Sequence, residues 1–161
     1  MSNPELAKSS HAVHIRRSRP ADLDALWDLE NQVFETDRMS RRSLQRILAS
    51  PAAVALVAEA AGATVGAAIV LFRANSSIAR LYSLAVAPNH TGRGIASALL
   101  LAAEKTARAH GSHLLRLEVH EKNHGAIKCY RKAGYHEFGR HHAYYEDRGR
   151  ALRFEKALSR Q

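Results

Sequence analysis

The sequence predicts a mixed α+β fold, a central β-sheet of about seven strands flanked by about four helices. Three observations lead there. Residues 53–87 read as three consecutive strands separated by tight turns, an antiparallel meander. Two segments of helical period precede that block, and a glycine-bearing loop, a helix and a strand follow it. A further helix and a closing pair of strands complete the chain.

Each element has its own signal. Residues 1–10 mix Ser, Asn, Pro and Lys and read as a flexible arm, leaving residues 11–161 as one domain. A strand is expected over 11–19, stopped by Pro20. Pro20, Ala21 and Asp22 open a helix on which Leu23, Leu26, Leu29 and Val33 keep a helical spacing. Ser40 is placed to cap a second helix carrying Leu44, Ile47 and Leu48, which ends before Pro51. Strands over 53–60 and 64–73 turn at Ala61, Gly62 and Ala63, and Asn75, Ser76 and Ser77 turn into a third over 78–87. Residues 95–110 place Ile95, Leu99, Ala102 and Thr106 on one stripe, with Gly111 just past the helix end. A strand over 114–120, a helix from about 123 to 133 closed by Gly134, and strands over 135–145 and 150–158 follow.

Composition narrows the function classes. A chain of 161 residues suits a single domain. Its formal net charge of +9 fits nucleic acid, an anionic cofactor, an acidic substrate or a solubilising surface. Aromatics do not interleave with the basic clusters near 16–19, 38–46 and 148–153, and no zinc-finger or RNP spacing occurs, which disfavours nucleic acid as partner. The single cysteine, Cys129, excludes an internal disulfide and suits a reducing compartment. No apolar run approaches the ~18 residues of a membrane span, and residues 1–10 lack the apolar core of a secretory signal. No membrane association and a cytoplasmic location are therefore expected.

The loop Pro88, Asn89, His90, Thr91, Gly92, Arg93, Gly94 joins a strand to the helix opened by Ile95, Ala96 and Ser97. Glycines at such a junction let backbone N–H groups face an anion, and the helix dipole adds partial positive charge. A glycine-rich turn without a ligand is the plainer alternative. The Walker pattern GxxxxGK[ST] is absent. A dinucleotide fingerprint fails at Ser97, which stands where the third glycine belongs, although Glu118 lies at about the distance of a ribose ligand.

Thr91 to Ala96, following Leu84, Ala85, Val86, Ala87 and Pro88, resembles the acetyl-CoA pyrophosphate loop (Q/R)xxGx(G/A) of GNAT-type (GCN5-related) N-acetyltransferases. Leu117, Glu118, Val119, Asn123, Ala126, Ile127, Tyr130, Gly134 and Tyr135 resemble the second half of that family, most closely its RimI-type group, which acetylates protein N-terminal amines. The resemblance covers roughly residues 14–158 and implies the GNAT fold with acetyl-CoA as co-substrate. Thr91 departs from it, standing where the family has Gln or Arg, which removes a side-chain contact and leaves the backbone cradle. By resemblance, Thr91, Gly92, Arg93, Gly94, Ile95, Ala96 and Ser97 hold the pyrophosphate. Leu84, Ala85 and Val86 offer backbone groups to the pantetheine, joined by Asn123 and Tyr130. Family members often dimerise, so a homodimer is a further implication.

Acetyl transfer to an amine needs a neutral amine, a polarised thioester and a proton for the leaving thiolate. Glu118 alternates with Arg116 and His120 on the polar side of its strand, opposite Leu115, Leu117 and Val119. In RimI-type enzymes the matching Glu is the proposed general base and the residue matching Tyr130 the general acid. The plainer alternatives are a surface Glu paired with an Arg and an amphipathic core Tyr. Asn123 also reads as a helix cap.

Two further motifs compete. His120, Glu121 and His124 spell HExxH, a zinc-protease pattern, but the first His ends a strand and Asn123 caps the next helix, so no metal is expected. Cys129 is read as a buried helical residue rather than a nucleophile.

For the acceptor, presenting a neutral amine at pH 7 costs ~1–1.4 kcal/mol for an N-terminus and ~4.6 kcal/mol for a lysine. A peptide or protein N-terminal amine therefore leads, with a small-molecule amine second. A CoA-binding sensor without turnover and a basic nucleic-acid-binding module are the alternatives from other classes. Phe34 to Ser40 replace the Pro-Trp-Ser-like element of RimI-type enzymes, Tyr144 and Tyr145 resemble their paired tyrosines, and Arg150 stands where they have an acidic residue. The basic segments 38–46 and 141–153 predict an anionic acceptor if they line the same cleft.

Overall fold

The computed structural model describes residues 12–159, so the expected arm at 1–10 and His11 lie outside the described residues. Strand β1 (Val13–Arg17) leads through a short 3-10 turn (Pro20–Asp22) into α1 (Leu23–Val33) and α2 (Arg41–Ala49). The meander is β2 (Ala53–Ala60), β3 (Ala63–Leu71) and β4 (Ile78–Val86). Then come α3 (Ile95–Ala109), β5 (Leu114–His120), α4 (His124–Lys132), β6 (His136–His141) and β7 (Ala151–Ala157). The seven strands form one sheet in the order β1-β2-β3-β4-β5-β7-β6. Every neighbouring pair is antiparallel except β4 and β5, which run parallel because α3 carries the chain back between them.

The sheet is sandwiched, which explains its composition. On one face Val54, Leu56, Ala68 and Val70 pack with Leu99, Leu100 and Ala103 of α3. On the other, Ala55, Val57, Ala67 and Ile69 pack beneath Leu26 and Leu29 of α1 and Leu44 of α2. Strands β2 and β3 are thus buried on both faces, and their sequences are accordingly near-continuous apolar runs. Each fully buried Leu contributes ~1.5–3 kcal/mol. Gly66 permits the closest approach: a Cβ there would lie 3.0 Å from Leu99 Cδ1 and 3.1 Å from Ile95 Cγ2.

Polar fasteners join the layers. Arg16 bonds Asp22 and Glu59, tying β1 to the 3-10 turn and β2 and holding the Asp22 carboxyl below its ordinary range. Glu104 of α3, 2% exposed, accepts from Lys156 Nζ of β7 at 2.8 Å and from Tyr135 Oη at 2.9 Å. Ser40 caps α2 as its sequence predicts, its Oγ accepting from Ser43 N at 3.0 Å. Among the described residues no helix is long and apolar enough to cross a membrane.

The strand expected over 135–145 ends at His141. Ala143 and Arg148 adopt left-handed backbone, at φ 50° and 63°, and turn residues 142–150 into a loop that carries Tyr144 and Tyr145 off the sheet. Cys129 is half-buried rather than buried, since α4 turns Ala126, Ile127 and Tyr130 toward the core instead.

Candidate active site

The site begins with a fault in the sheet. Ile69 pairs with Ser83 and Val70 with Leu81, so Tyr82 is an extra residue with no partner on β3. Such a bulge bends its strand. Pairing of β4 with β5 runs only from Ile78↔Leu114 to Leu81↔Leu117, although β4 continues to Val86 and β5 to His120. Beyond Leu81 the two strands part, and the backbone of Leu84, Ala85 and Val86 keeps its β3 ladder while its other edge has no β5 partner. A cleft of about 460 Å³ opens at this wedge, lined in part by Leu84, Glu118, Asn123 and Tyr130. The side chains of Ala85 and Val86 pack into the two cores, and neither residue lines the cleft.

At the far end of β4 the loop behaves as its glycines predict. Gly92 and Gly94 sit at φ 76° and 80°, and nothing lies within 4 Å of where a Cβ would stand at either. Thr91 Oγ1 donates to the Pro88 carbonyl at 3.2 Å and braces the loop. Gly94 is the N-cap of α3 and no side chain caps that helix. A fifteen-residue helix thus presents its first N–H groups and the positive end of its dipole at an open, glycine-lined junction, which suits a pyrophosphate. Ile95 anchors the turn in the core, while Arg93 and Ser97 are exposed and Ala96 is half-buried. These loop residues flank the cleft rather than line it.

In the cleft, Asn123 Oδ1 accepts from Ala126 N at 3.2 Å, capping α4. That cap aims the helix so that Tyr130, 7% exposed, reaches the cleft from one side, its ring edge-on to Tyr135. Burial pushes the Tyr130 hydroxyl well above its ordinary pKa. Glu118 enters from β5, its side chain 12% exposed, and pairs with Arg80 Nη2 of β4 at 3.0 Å and, more distantly, with Arg153 Nε of β7 at 3.8 Å.

Two loops contribute further wall to the cleft. Residues 34–40, between α1 and α2, bring Asp37, whose Oδ1 accepts from Glu146 N at 3.2 Å and ties them to the β6–β7 loop. Glu30 of α1 lines the wall and accepts from Met39 N at 2.9 Å; burial raises its carboxyl above the ordinary range. In the β6–β7 loop, Tyr145 stacks on His120 at 4.8 Å and its hydroxyl is also pushed up by burial. His120 Nδ1 accepts from Lys122 N and its Nε2 faces Asp147 at 2.8 Å, so both ring nitrogens serve structure. His120 therefore ends a strand while His124 begins a helix, and the HExxH residues share no helical face.

The basic segments contribute less than expected. Of residues 38–46 and 141–153, Met39, Tyr144 and Tyr145 line the cleft, and none of the arginines does. Arg38 donates to backbone carbonyls of Phe34 and Asn31, and Arg41 pairs with Asp24. The guanidinium that does line it, Arg80, belongs to neither segment. Sequence reasoning missed Arg80, Tyr82 and Glu30; Arg153, inside the basic segment 141–153, does not line the cleft but stands 3.8 Å from Glu118 Oε1. A signal existed on β4, where Arg80 and Tyr82 alternate with Ala79 and Leu81 in an otherwise apolar run.

The acetyltransferase (GNAT) family profile matches residues 21–135. The chain belongs to that family. It is an N-acetyltransferase of the GNAT fold, a family that uses acetyl-CoA. It resembles a Bacillus subtilis (strain 168) protein named as a candidate ribosomal protein bS18-alanine N-acetyltransferase, at 26% identity over 84% of this chain and 88% of that one. Its fold is that of the ribosomal-protein-S18-alanine N-acetyltransferase from Escherichia coli, with a TM-score of 0.84, 23% identity, and 93% and 96% of the two chains covered. The PaiA N-acetyltransferase from Thermoplasma acidophilum, solved in complex with coenzyme A, superposes at a TM-score of 0.76 with 22% identity over 91% of this chain and 99% of that one.

Proposed function

We propose that this GNAT enzyme transfers acetyl from acetyl-CoA to the N-terminal amine of a peptide or protein, with Glu118 as general base and Tyr130 as general acid. One observation carries the reading: β5 and α4 bring a carboxylate and a buried phenol into one cleft, beside the stretch of β4 that has left its β5 partner. The names of the bS18-alanine relatives support an N-terminal acceptor.

Acetyl-CoA supplies a thioester; the amine nitrogen bonds its carbonyl carbon, the C–S bond breaks, and a proton leaves nitrogen as thiolate departs. The uncapped start of α3, with Thr91, Gly92, Arg93, Gly94, Ile95, Ala96 and Ser97, holds the pyrophosphate through backbone N–H groups. The free edge of β4 at Leu84, Ala85 and Val86 positions the pantetheine, and a backbone N–H there polarises the carbonyl. Glu118 takes the amine proton, directly or through water. Tyr130, whose hydroxyl keeps its proton because burial disfavours the phenolate, returns one to sulfur.

Calorimetric titration of acetyl-CoA into wild type and Asn123→Ala tests the co-substrate site, and CoA release with amine-terminated peptides tests the chemistry. Micromolar binding that weakens in the variant, with peptide-dependent CoA release, is expected. Binding without release on any amine would make the protein an acyl-CoA sensor, and no binding at all would remove the role of both Glu118 and Tyr130.

A further inference from the structure

The Glu118 carboxylate is already engaged. Arg80 Nη2 sits 3.0 Å from its Oε2 and also donates to Tyr144 Oη at 2.9 Å, while Arg153 Nε stands 3.8 Å from Oε1. The register explains why these charges meet: Glu118 lies directly across from Arg153, and Arg80 pairs with Arg116 one step along the same face. Phe138 lies between the Arg153 and Arg116 guanidiniums, at 4.7 and 4.6 Å, and keeps the Arg153 head from swinging away. The Nε atoms of Arg80 and Arg153 are buried and have no hydrogen-bond partner among the described residues. The arginine side chains, 41% and 31% exposed, stand further out than Glu118 at 12%. An approaching acceptor meets guanidinium before carboxylate.

An ammonium that reaches Glu118 competes with Arg80 for its carboxylate. A simple amine would leave the Arg80 guanidinium without its carboxylate, and half-buried charge left unpaired is costly. An acceptor carrying its own carboxylate close to the amine exchanges ion pairs instead: its ammonium takes Glu118 and its carboxylate takes Arg80, with Arg153 alongside. We infer that the preferred acceptor is a primary amine bearing a carboxylate a few bonds away, read by Arg80 and Arg153. This rests on Glu118 being where the amine binds. Two sources share that chemistry, the α-carboxylate of a free amino acid and an acidic first side chain on a peptide.

The test is steady-state CoA release with four acceptors: alanine, alanine amide, and C-terminally amidated Ala-Ala-Ala and Asp-Ala-Ala. In wild type, kcat/KM for one carboxylate-bearing member should exceed that of its neutral partner about ten-fold, the scale of one charge-assisted hydrogen bond. Preference within the alanine pair points to a free amino acid, and within the tripeptide pair to an acidic N-terminus. Arg80→Met should abolish the preference, lowering kcat/KM for the carboxylate-bearing member about ten-fold more than for its neutral partner. Arg153→Gln, which leaves the Arg80 pair in place, should shrink the preference; acetyl-CoA affinity reports that each variant is folded. Equal rates on both members of each pair in wild type, or equal losses on both in Arg80→Met, would overturn the inference and leave N-terminal acetylation standing. Preference for alanine over alanine amide, with neither tripeptide accepted, would uphold the inference and refute the peptide acceptor. No turnover on any of the four overturns both.

Discussion

Gly149→Ala tests whether the β6–β7 loop holds the acceptor wall. A Cβ at Gly149 would stand 2.3 Å from His120 Nε2, 2.6 Å from its Cε1 and 2.8 Å from Asp147 Oδ1. No rotamer of the new methyl avoids this, because Cβ is fixed by the backbone. His120 cannot yield freely either: Asp147 and Lys122 N hold both ring nitrogens and Tyr145 stacks on its face. Gly149 also donates to Asp147 Oδ1 at 2.8 Å and accepts from Tyr144 N at 3.1 Å, so moving the backbone displaces both tyrosines. Overpacking of this kind costs ~1–3 kcal/mol. An exposed loop relaxes more than a core, which puts the expected value near 1 kcal/mol and the fall in Tm at about 2–4 °C. The larger effect is on acceptor geometry, where a displacement of about 1 Å costs up to ~10²-fold in rate. Acceptor KM measured by CoA release should rise about ten-fold or more, while acetyl-CoA affinity by calorimetry stays at the wild-type value. A variant with unchanged acceptor KM would show that the loop does not shape that wall. Parallel loss of acetyl-CoA affinity would show general damage and equally refute the reasoning.

Tyr130→Phe should lower kcat by ~10²–10⁴-fold with little change in acetyl-CoA affinity, and a loss under three-fold would dismiss the phenol as acid. Asn123→Ala should cost about 1 kcal/mol through the lost α4 cap and weaken acetyl-CoA as well, read by chemical denaturation and calorimetry together. Glu104→Ala leaves Tyr135 Oη without an acceptor in the core and should destabilise by about 2 kcal/mol with kcat preserved; an unchanged denaturation midpoint would contradict the fastening role. Burial raises Tyr130, Tyr135 and Tyr145, so the folded state keeps protons that the unfolded chain releases above its ordinary value near 10. Stability should be intact below pH ~10 and fall above it, by up to about 1.4 kcal/mol per pH unit for each of Tyr130 and Tyr135 and less for half-buried Tyr145. Tyrosinate absorbance should then appear together with unfolding for these residues; ionisation of all five tyrosines in the folded protein would refute the burial argument.

What the sequence makes legible here is whatever depends on local order. The meander, the caps at Ser40 and Asn123 and the glycine turn at 92–94 follow from spacing, because turn chemistry and helical period act over a few residues. The placement of Glu118 on a strand and of Tyr130 on a helix was legible for the same reason, while only the family resemblance pairs them. The end of β6 was not, since left-handed backbone at Ala143 and Arg148 is set by the loop's contacts with His120 and Asp37 rather than by the residues themselves.

The surroundings of Glu118 belong to a third class. Arg80, Glu118 and Arg153 come from three strands, 73 residues apart end to end, and meet only through the order β4-β5-β7 and its register. A slip of one residue in β7 would turn Arg153 to the opposite face and bring Leu152 or Phe154 across from Glu118. The bulge at Tyr82 also sets where β4 departs from β5, so it fixes Arg80 on the last paired stretch and Leu84 on the first open one. The same irregularity that opens the cleft therefore places a guanidinium in its lining. The proposed catalytic pair and the inferred acceptor preference thus meet at one strand, and a change in the register of β4 would alter both together.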